Sequence, residues 1–185
     1  MDNKVVDLSS FKHSLHVNIW DKLRYLIWLI LSNLFFLTNI PYPSRFKVGI
    51  LRLMGARVGV SCVIKPWVKI KLPWKLRIGD HVWIGEAAWI DNISDVEIGN
   101  HVCISQNALL LTGNHDYTST SFDLMSKPIN IDDGAWICAN STIVGGVSVA
   151  THSVVGIGQI ITKNTQPFEI YGNGSTTHSK KRVIK

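Results

Sequence analysis

Seven histidines are spread along the 185 residues, and one of them stands where the sequence loses its pattern. His115 lies in Gly113-Asn114-His115-Asp116-Tyr117, near the start of a segment, 111–130, that departs from the repeat on either side of it. An imidazole titrates near neutrality, so it can take a proton from a hydroxyl group as that oxygen attacks a carbonyl carbon. Such general-base help is typically worth about 10²–10⁴-fold in rate. Asp116 is its neighbour in sequence, and Glu86, Asp91 and Asn92 lie about one turn of the repeat earlier. Each is placed either to orient the imidazole or contact an acceptor, or only to close a hydrogen bond at a bend of the chain. The three cysteines, Cys62, Cys103 and Cys138, are odd in number and show no C-x-x-C spacing. They read as reduced thiols of a cytoplasmic protein, and no structural metal is expected.

The elements that must position His115 follow from a period of six. Aliphatic residues recur as Val58, Ile64, Ile70, then Ile78, Ile84, Ile90, then Ile98, Ile104, Leu110, and after the interruption as Ile131, Ile137, Ile143, Val149, Val155 and Ile161. Four residues beyond most of them stands a small or β-branched residue, such as Cys62, Val82, Ala88, Ala135 or Ser141. In a helix, six steps of about 100° walk the apolar positions off one face, whereas in a strand positions i, i+4 and i+6 share a face. The slot at i+3 holds His81, His101, Asn107, Gly134, Asn140, Gly146, His152, Gly158 and Asn164. These are residue types that tolerate positive φ and so can turn a corner. Short strands joined by such corners predict a three-sided, left-handed parallel β-helix of about five coils, with His81, His101 and His152 structural. The step is eight residues between Ile70 and Ile78 and again between Ile90 and Ile98, which places a bulge at one corner of successive coils. In coil three the repeat is replaced by the loop 111–130, and long insertions of this kind in compact domains are usually functional.

The hexads IGDHVW-IGEAAW, IGNHVC-ISQNAL and IDDGAW-ICANST-IVGGVS-VATHSV-VGIGQI resemble the signature of the hexapeptide-repeat acyltransferases. Within that family the chain is similar to sugar O-acetyltransferases of the maltose, galactoside and nodulation-factor type. More narrowly it is similar to the colanic acid biosynthesis acetyltransferases, through LRLMGARVG, LPWKLRIGDHVWIGE and TGNHDYTSTSFDLMSKPI. The resemblance implies transfer of an acetyl group from acetyl-CoA to a sugar hydroxyl, in exopolysaccharide or lipid-linked oligosaccharide synthesis. It also implies His115 as the catalytic base on a protruding loop, and a homotrimer with active sites between subunits. The positions matching the family's CoA groove are Ala139, Gly156, Ile157, Thr162 and Lys163, with Arg182 and Lys185 in the tail; the three cations suit the phosphates. Where maltose-type relatives carry an asparagine for the acceptor, this chain has Gly85, and its tail departs from the family's short Gly-x-Pro-Ala turn.

Ahead of the repeat, 1–57 comprises a polar arm and an apolar stretch, Trp20 to Ile40, too short between its polar residues for a bilayer span of about 20. It reads as a helical cap on the solenoid, either with peripheral membrane contact, the favoured reading, or as a purely soluble cap, and 167–185 as a basic tail. The chain is 46% hydrophobic and 17% charged, with a net charge of +6, a globular composition that favours anionic partners. No helix-turn-helix or zinc-finger pattern appears, so nucleic acid is not an expected partner. A zinc lyase on the same fold would need paired histidines, and no H-x-x-x-x-H occurs. A non-enzymatic scaffold would need neither the interruption nor its histidine. Acylation of an amino sugar fits the same residues as O-acylation.

Overall fold

The structure is a computed structural model that describes residues 5–11, 18–172 and 179–184. From Arg57 the chain winds into a parallel β-helix with three flat sides. The first side stacks Arg57–Val58, Leu76–Ile78, Val96–Ile98, Ile129–Ile131 and Ser148–Val149. The second stacks Val63–Ile64, Trp83–Ile84, Cys103–Ile104, Trp136–Ile137 and Val154–Val155. The third stacks Lys69–Ile70, Trp89–Asp91, Leu109–Leu111, Thr142–Val144 and Ile160–Ile161. A sixth rung, Glu169–Tyr171, adds to the second side alone, so the wall of the prism runs past 166.

Every aliphatic residue of the six-residue register points inward, from Val58 at 8% exposed to Ile90 and Val149 at 0%. Most i+4 slots are buried with them, including the polar Ser141 and Ser153. Each of those two hydroxyls donates to a corner carbonyl, Cys138 O and Ala150 O, which makes burial of the hydroxyl tolerable. The corners behave as the i+3 slot requires: His81, His101, Asn107, Asn140 and His152 adopt φ of 55–58°, and Gly134, Gly146 and Gly158 φ of 69–90°. Asn164 does not turn in this way; its side chain instead accepts from Ser148 N at 2.9 Å. Ser61, Trp67 and Ala87 do, although their types give no sign of it.

The corner between the third and first sides carries the extra residues. Asn92 is fully buried there, accepting from Leu72 N at 3.0 Å and donating to Leu72 O at 2.7 Å. One coil on, Thr112 donates to Asp91 O and accepts from Ser94 N. The insertion of coil three leaves from this same corner, as an enlargement of a bulge already present in coils one and two.

Two helices close the first coil. Helix α1, Ile19–Phe35, starts at Asn18, whose side chain accepts from Asp21 N at 2.8 Å; helix α2, Ser44–Leu53, follows Pro43. A solenoid end exposes unpaired strand edges, and these helices satisfy them side by side. Arg52 donates to Val58 O on the first side, Lys47 to Ile64 O on the second, and Trp28 Nε1 to Ile70 O on the third. The helices thus meet the first coil through hydrogen bonds as well as apolar contact.

Candidate active site

The segment expected as an irregular loop is a β-hairpin over much of its length. Gly113–His115 pairs antiparallel with Leu124–Ser126, and His115 stands opposite Leu124. The chain turns between them through Asp116, whose carboxylate accepts from Thr118 N and Oγ1 at 2.9 and 2.6 Å. Those bonds hold the Asp116 carboxyl below the usual carboxylate range. Asp123 closes the other flank by accepting from the hydroxyls of Ser119 and Ser121. Phe122, in the left-handed region at φ 52°, brings its carbonyl back toward the first strand.

That carbonyl meets the imidazole. His115 Nδ1 lies 2.8 Å from Phe122 O, and the two rings stack with centroids 4.3 Å apart and planes 6° from parallel. A second ring, Phe11, leans on the imidazole at 5.8 Å. It belongs to an N-terminal arm that also joins the hairpin through Asp7 N to Thr120 O at 2.8 Å. Neither phenylalanine was foreseen, and only the proximity of Phe122 in sequence offers a signal for it. A carbonyl oxygen only accepts, so the bond to Phe122 assigns the proton of the neutral ring to Nδ1 and leaves the Nε2 lone pair free.

Beneath the hairpin a cleft of about 360 Å³ is lined by Thr112, Gly113, Asn114, Lys127, Val144 and Gly145, among others. Thr162 and Lys163 lie on the same corner, two coils beyond Leu111–Thr112, and are exposed. Ala139, Gly156 and Ile157 lie on the corner between the second and third sides, in coils four and five. The third side is thus a strip bounded by the hairpin corner on one edge and by these small residues on the other.

The remaining residues are not gathered around His115. Among the described residues no hydrogen bond joins the imidazole to Asp116, Glu86, Asp91 or Asn92. Asn92 is committed to Leu72, and Asp91 pairs with Lys71 at 2.8 Å. Glu86 is exposed on the same corner as Ala139 and Ile157. Arg182 is elsewhere. The strand Ser179–Lys181 turns back antiparallel to Glu169–Tyr171. This carries the guanidinium to the corner between the first and second sides, where it donates to Gly134 O and His152 O at 2.9 and 3.1 Å. Lys185, like His13, His16 and His178, lies outside the described residues. Gly85 has no room for the asparagine of maltose-type relatives, since a Cβ there would sit 2.7 Å from the Ser105 backbone.

This arrangement of hexads, corners and hairpin agrees with what comparison shows. Over 158 residues the chain is 32% identical to an Escherichia coli K12 protein named for the colanic acid biosynthesis acetyltransferase WcaF, covering 85% of this chain and 87% of that one. The chain belongs to the WcaF-type hexapeptide-repeat acetyltransferases. It is also 24% identical to a galactoside O-acetyltransferase of Lactococcus lactis, over 84% of this chain and 76% of that one. No family model matches. Among solved structures, a hexapeptide-repeat acetyltransferase of Vibrio cholerae complexed with acetyl-CoA superposes with a TM-score of 0.78 at 20% identity, covering 94% of each chain. The WcaF-type relationship makes this protein an acyltransferase, and the structural likeness shows the shared fold.

Proposed function

We propose that the chain transfers the acetyl group of acetyl-CoA to a hydroxyl of a sugar acceptor, with His115 as general base. The observation that carries this reading is the bond from His115 Nδ1 to Phe122 O, which presents Nε2 as a proton acceptor on a projecting hairpin. In the reaction Nε2 takes the hydroxyl proton as the oxygen attacks the thioester carbonyl carbon. The tetrahedral intermediate expels the thiolate as the C–S bond breaks, and the imidazolium returns its proton to that sulfur. Backbone N–H groups at a coil corner suit the transient oxyanion. No acyl-enzyme is required.

The donor reading is supported by the Vibrio cholerae structure, which holds acetyl-CoA on the same fold. Along the third side, Ala139 and Gly156 allow an extended thioester arm to approach the backbone, Ile157 gives it an apolar edge, and Thr162 and Lys163 offer a hydroxyl and a cation to its phosphates. Arg182 does not join them within one chain. Asp91, on the third side, and Glu86, at its corner, are the carboxylates offered for contact with the acceptor.

The reading places the site between copies in a homotrimer. Its support is the outward row of the second side, where Trp83 and Trp136 are 44% and 43% exposed beside Val63 and Cys103. An apolar row of that kind on a prism face suits packing against a neighbour. A pathway of exopolysaccharide synthesis is supported by the colanic acid relative, and a cytoplasmic setting by the free thiols of Cys62, Cys103 and Cys138, which would persist there. The test is thiol release from acetyl-CoA by the purified protein, measured against a panel of sugars, sugar nucleotides and lipid-linked oligosaccharides. Release that needs a hydroxyl acceptor supports the reading; release with amino sugars alone, or none across the panel, overturns it.

A further inference from the structure

Helix α1 has a second face that the solenoid does not use. Its buried residues are Trp28 and Ser32. Trp20, Leu23, Ile27, Ile30 and Leu34 recur at helical spacing on another face and stand 44–74% exposed. Leu53, at the end of α2, is 78% exposed and lines one shallow groove with Trp20, Leu23 and Ile27. This apolar surface sits at the end of the prism that the two helices close.

Charge gathers at the same end. Residues 18–77, which form the two helices and the first coil, contain eleven lysines and arginines and a single acid, Asp21. Their net charge is +10, and the rest of the chain sums to −4. Lys22, Arg45, Lys65 and Lys69 of this set are exposed. The molecule is therefore polarised along its axis, with apolar side chains and positive charge at one end.

We infer that this end docks on an anionic phospholipid surface, with α1 lying in the interface. Two copies meeting through the same end would bring like charges of +10 together, so self-association does not explain the patch. No helix of the described residues is long and apolar enough to cross a membrane. At 1.5 Å per residue, the 17 residues of α1 reach about 26 Å, short of a bilayer core of about 30 Å. An amphipathic helix with tryptophan near one end and lysine and arginine at its rim partitions in the plane of the headgroups, drawn by both apolar burial and anionic lipid. A cyclic trimer, if formed, sets three equivalent caps at one height along its axis, so all three would engage together.

The experiment is co-sedimentation of the full chain with vesicles of phosphatidylcholine alone or with 30 mol% phosphatidylglycerol (a probe composition of about this anionic content). Binding to the anionic vesicles is expected to be at least about tenfold tighter than to the neutral ones and to weaken with added salt. Ile27→Glu with Ile30→Glu should lower it at least about tenfold, and Lys22→Glu with Arg45→Glu should abolish the preference for anionic lipid. All four side chains are exposed, so unchanged circular dichroism and unchanged thiol release with a water-soluble acceptor are expected for both variants. No binding to anionic vesicles, or binding that neither pair alters, overturns the inference. Stable capture of an acidic protein on this face in place of vesicles overturns it too. Vesicle binding requires no turnover, so this result stands or falls apart from the assignment of His115.

Discussion

The imidazole of His115 is held by the main chain of Phe122, through Nδ1 to the carbonyl at 2.8 Å, and not by a carboxylate. An Asp or Glu in that place would stabilise the imidazolium as well as the tautomer, whereas a carbonyl mainly fixes the tautomer and the ring's direction. His115→Ala and His115→Gln should both lower kcat with acetyl-CoA and a hydroxyl acceptor by about 10²–10⁴-fold. His115→Gln is the sharper variant, because its amide can donate to Phe122 O yet cannot accept a proton. If it kept wild-type turnover, the base would lie elsewhere.

Phe122 contributes a ring as well as a carbonyl, stacked on the imidazole at 4.3 Å. Phe122→Ala keeps the carbonyl but frees the imidazole to rotate. The expected loss is in kcat, roughly 10- to 100-fold, with KM for acetyl-CoA little changed. Phe122→Tyr should restore most of it. An equal loss in both variants, or a loss confined to KM, would assign Phe122 a packing role only.

Asp116 offers a contrasting case. Its carboxylate is spent on Thr118, so Asp116→Asn should leave kcat within a few-fold of wild type, since the amide oxygen still accepts from Thr118 N. A loss as deep as that of His115→Ala would show that the carboxylate acts on the imidazole after all.

The cap makes a stability prediction. Lys47 is 0% exposed and donates to Ile64 O and Lys65 O at 3.3 and 3.0 Å, with the ring of Phe36 5.7 Å away. Burial without a carboxylate partner lowers its pKa, yet the ammonium supplies donors that the open edge lacks. Lys47→Met fits the volume, removes the buried charge and strands two carbonyls. The stranded carbonyls decide the sign, and a destabilisation of about 1–3 kcal/mol is expected in urea unfolding. Trp28→Phe, which removes the bond to Ile70 O and also trims a fully buried ring packed on Phe36, should cost about 2–4 kcal/mol. A Lys47→Met protein more stable than wild type would mean that desolvation outweighs the cap.

The inward residues were legible because burial on a flat strand repeats at fixed intervals, and a six-residue period admits no helix. Most corners were legible because histidine, asparagine and glycine tolerate positive φ. Trp67 and Ala87 were not, since tertiary contacts impose their conformation. For Trp67 these are its N–H to Phe36 O and its indole to Asn39 Oδ1. At the site, His115 stood out through the broken period alone. The hairpin around it did not, because Gly-Asn-His and Leu-Met-Ser lack the alternation of a half-buried strand. Asn92 carried two readings, acceptor contact and corner bond, and only coordinates distinguish them. The fold-back that takes Arg182 across to Gly134 O depends on a short polar strand whose pairing no local pattern announces.

The thiols provide a test through pH. Burial raises the pKa of Cys62, Cys103 and Cys138 above their ordinary value near 9.0. In the unfolded chain these thiols ionise near 9.0, while the folded protein holds their protons to higher pH. Above that point the folded state binds more protons, so stability falls as pH rises. Tyr171 acts in the same direction from 10.0 upward, because burial raises its pKa as well. Lys47 opposes them, since its lowered pKa lets the folded state release a proton before the unfolded chain does near 10.5. Three thiols outnumber one ammonium below pH 10 and the phenol joins them above it, so the urea midpoint should drop from about pH 9 to 10 and further beyond. Cys62→Ala with Cys138→Ala should flatten that drop; alanine already fills the slots equivalent to Cys62 at Ala88, Ala108 and Ala135, and the small residues Gly85, Ser105 and Gly156 fill those equivalent to Cys138. A midpoint that rises across the interval, or a drop equally steep in the double variant, would show that the thiols are not its source.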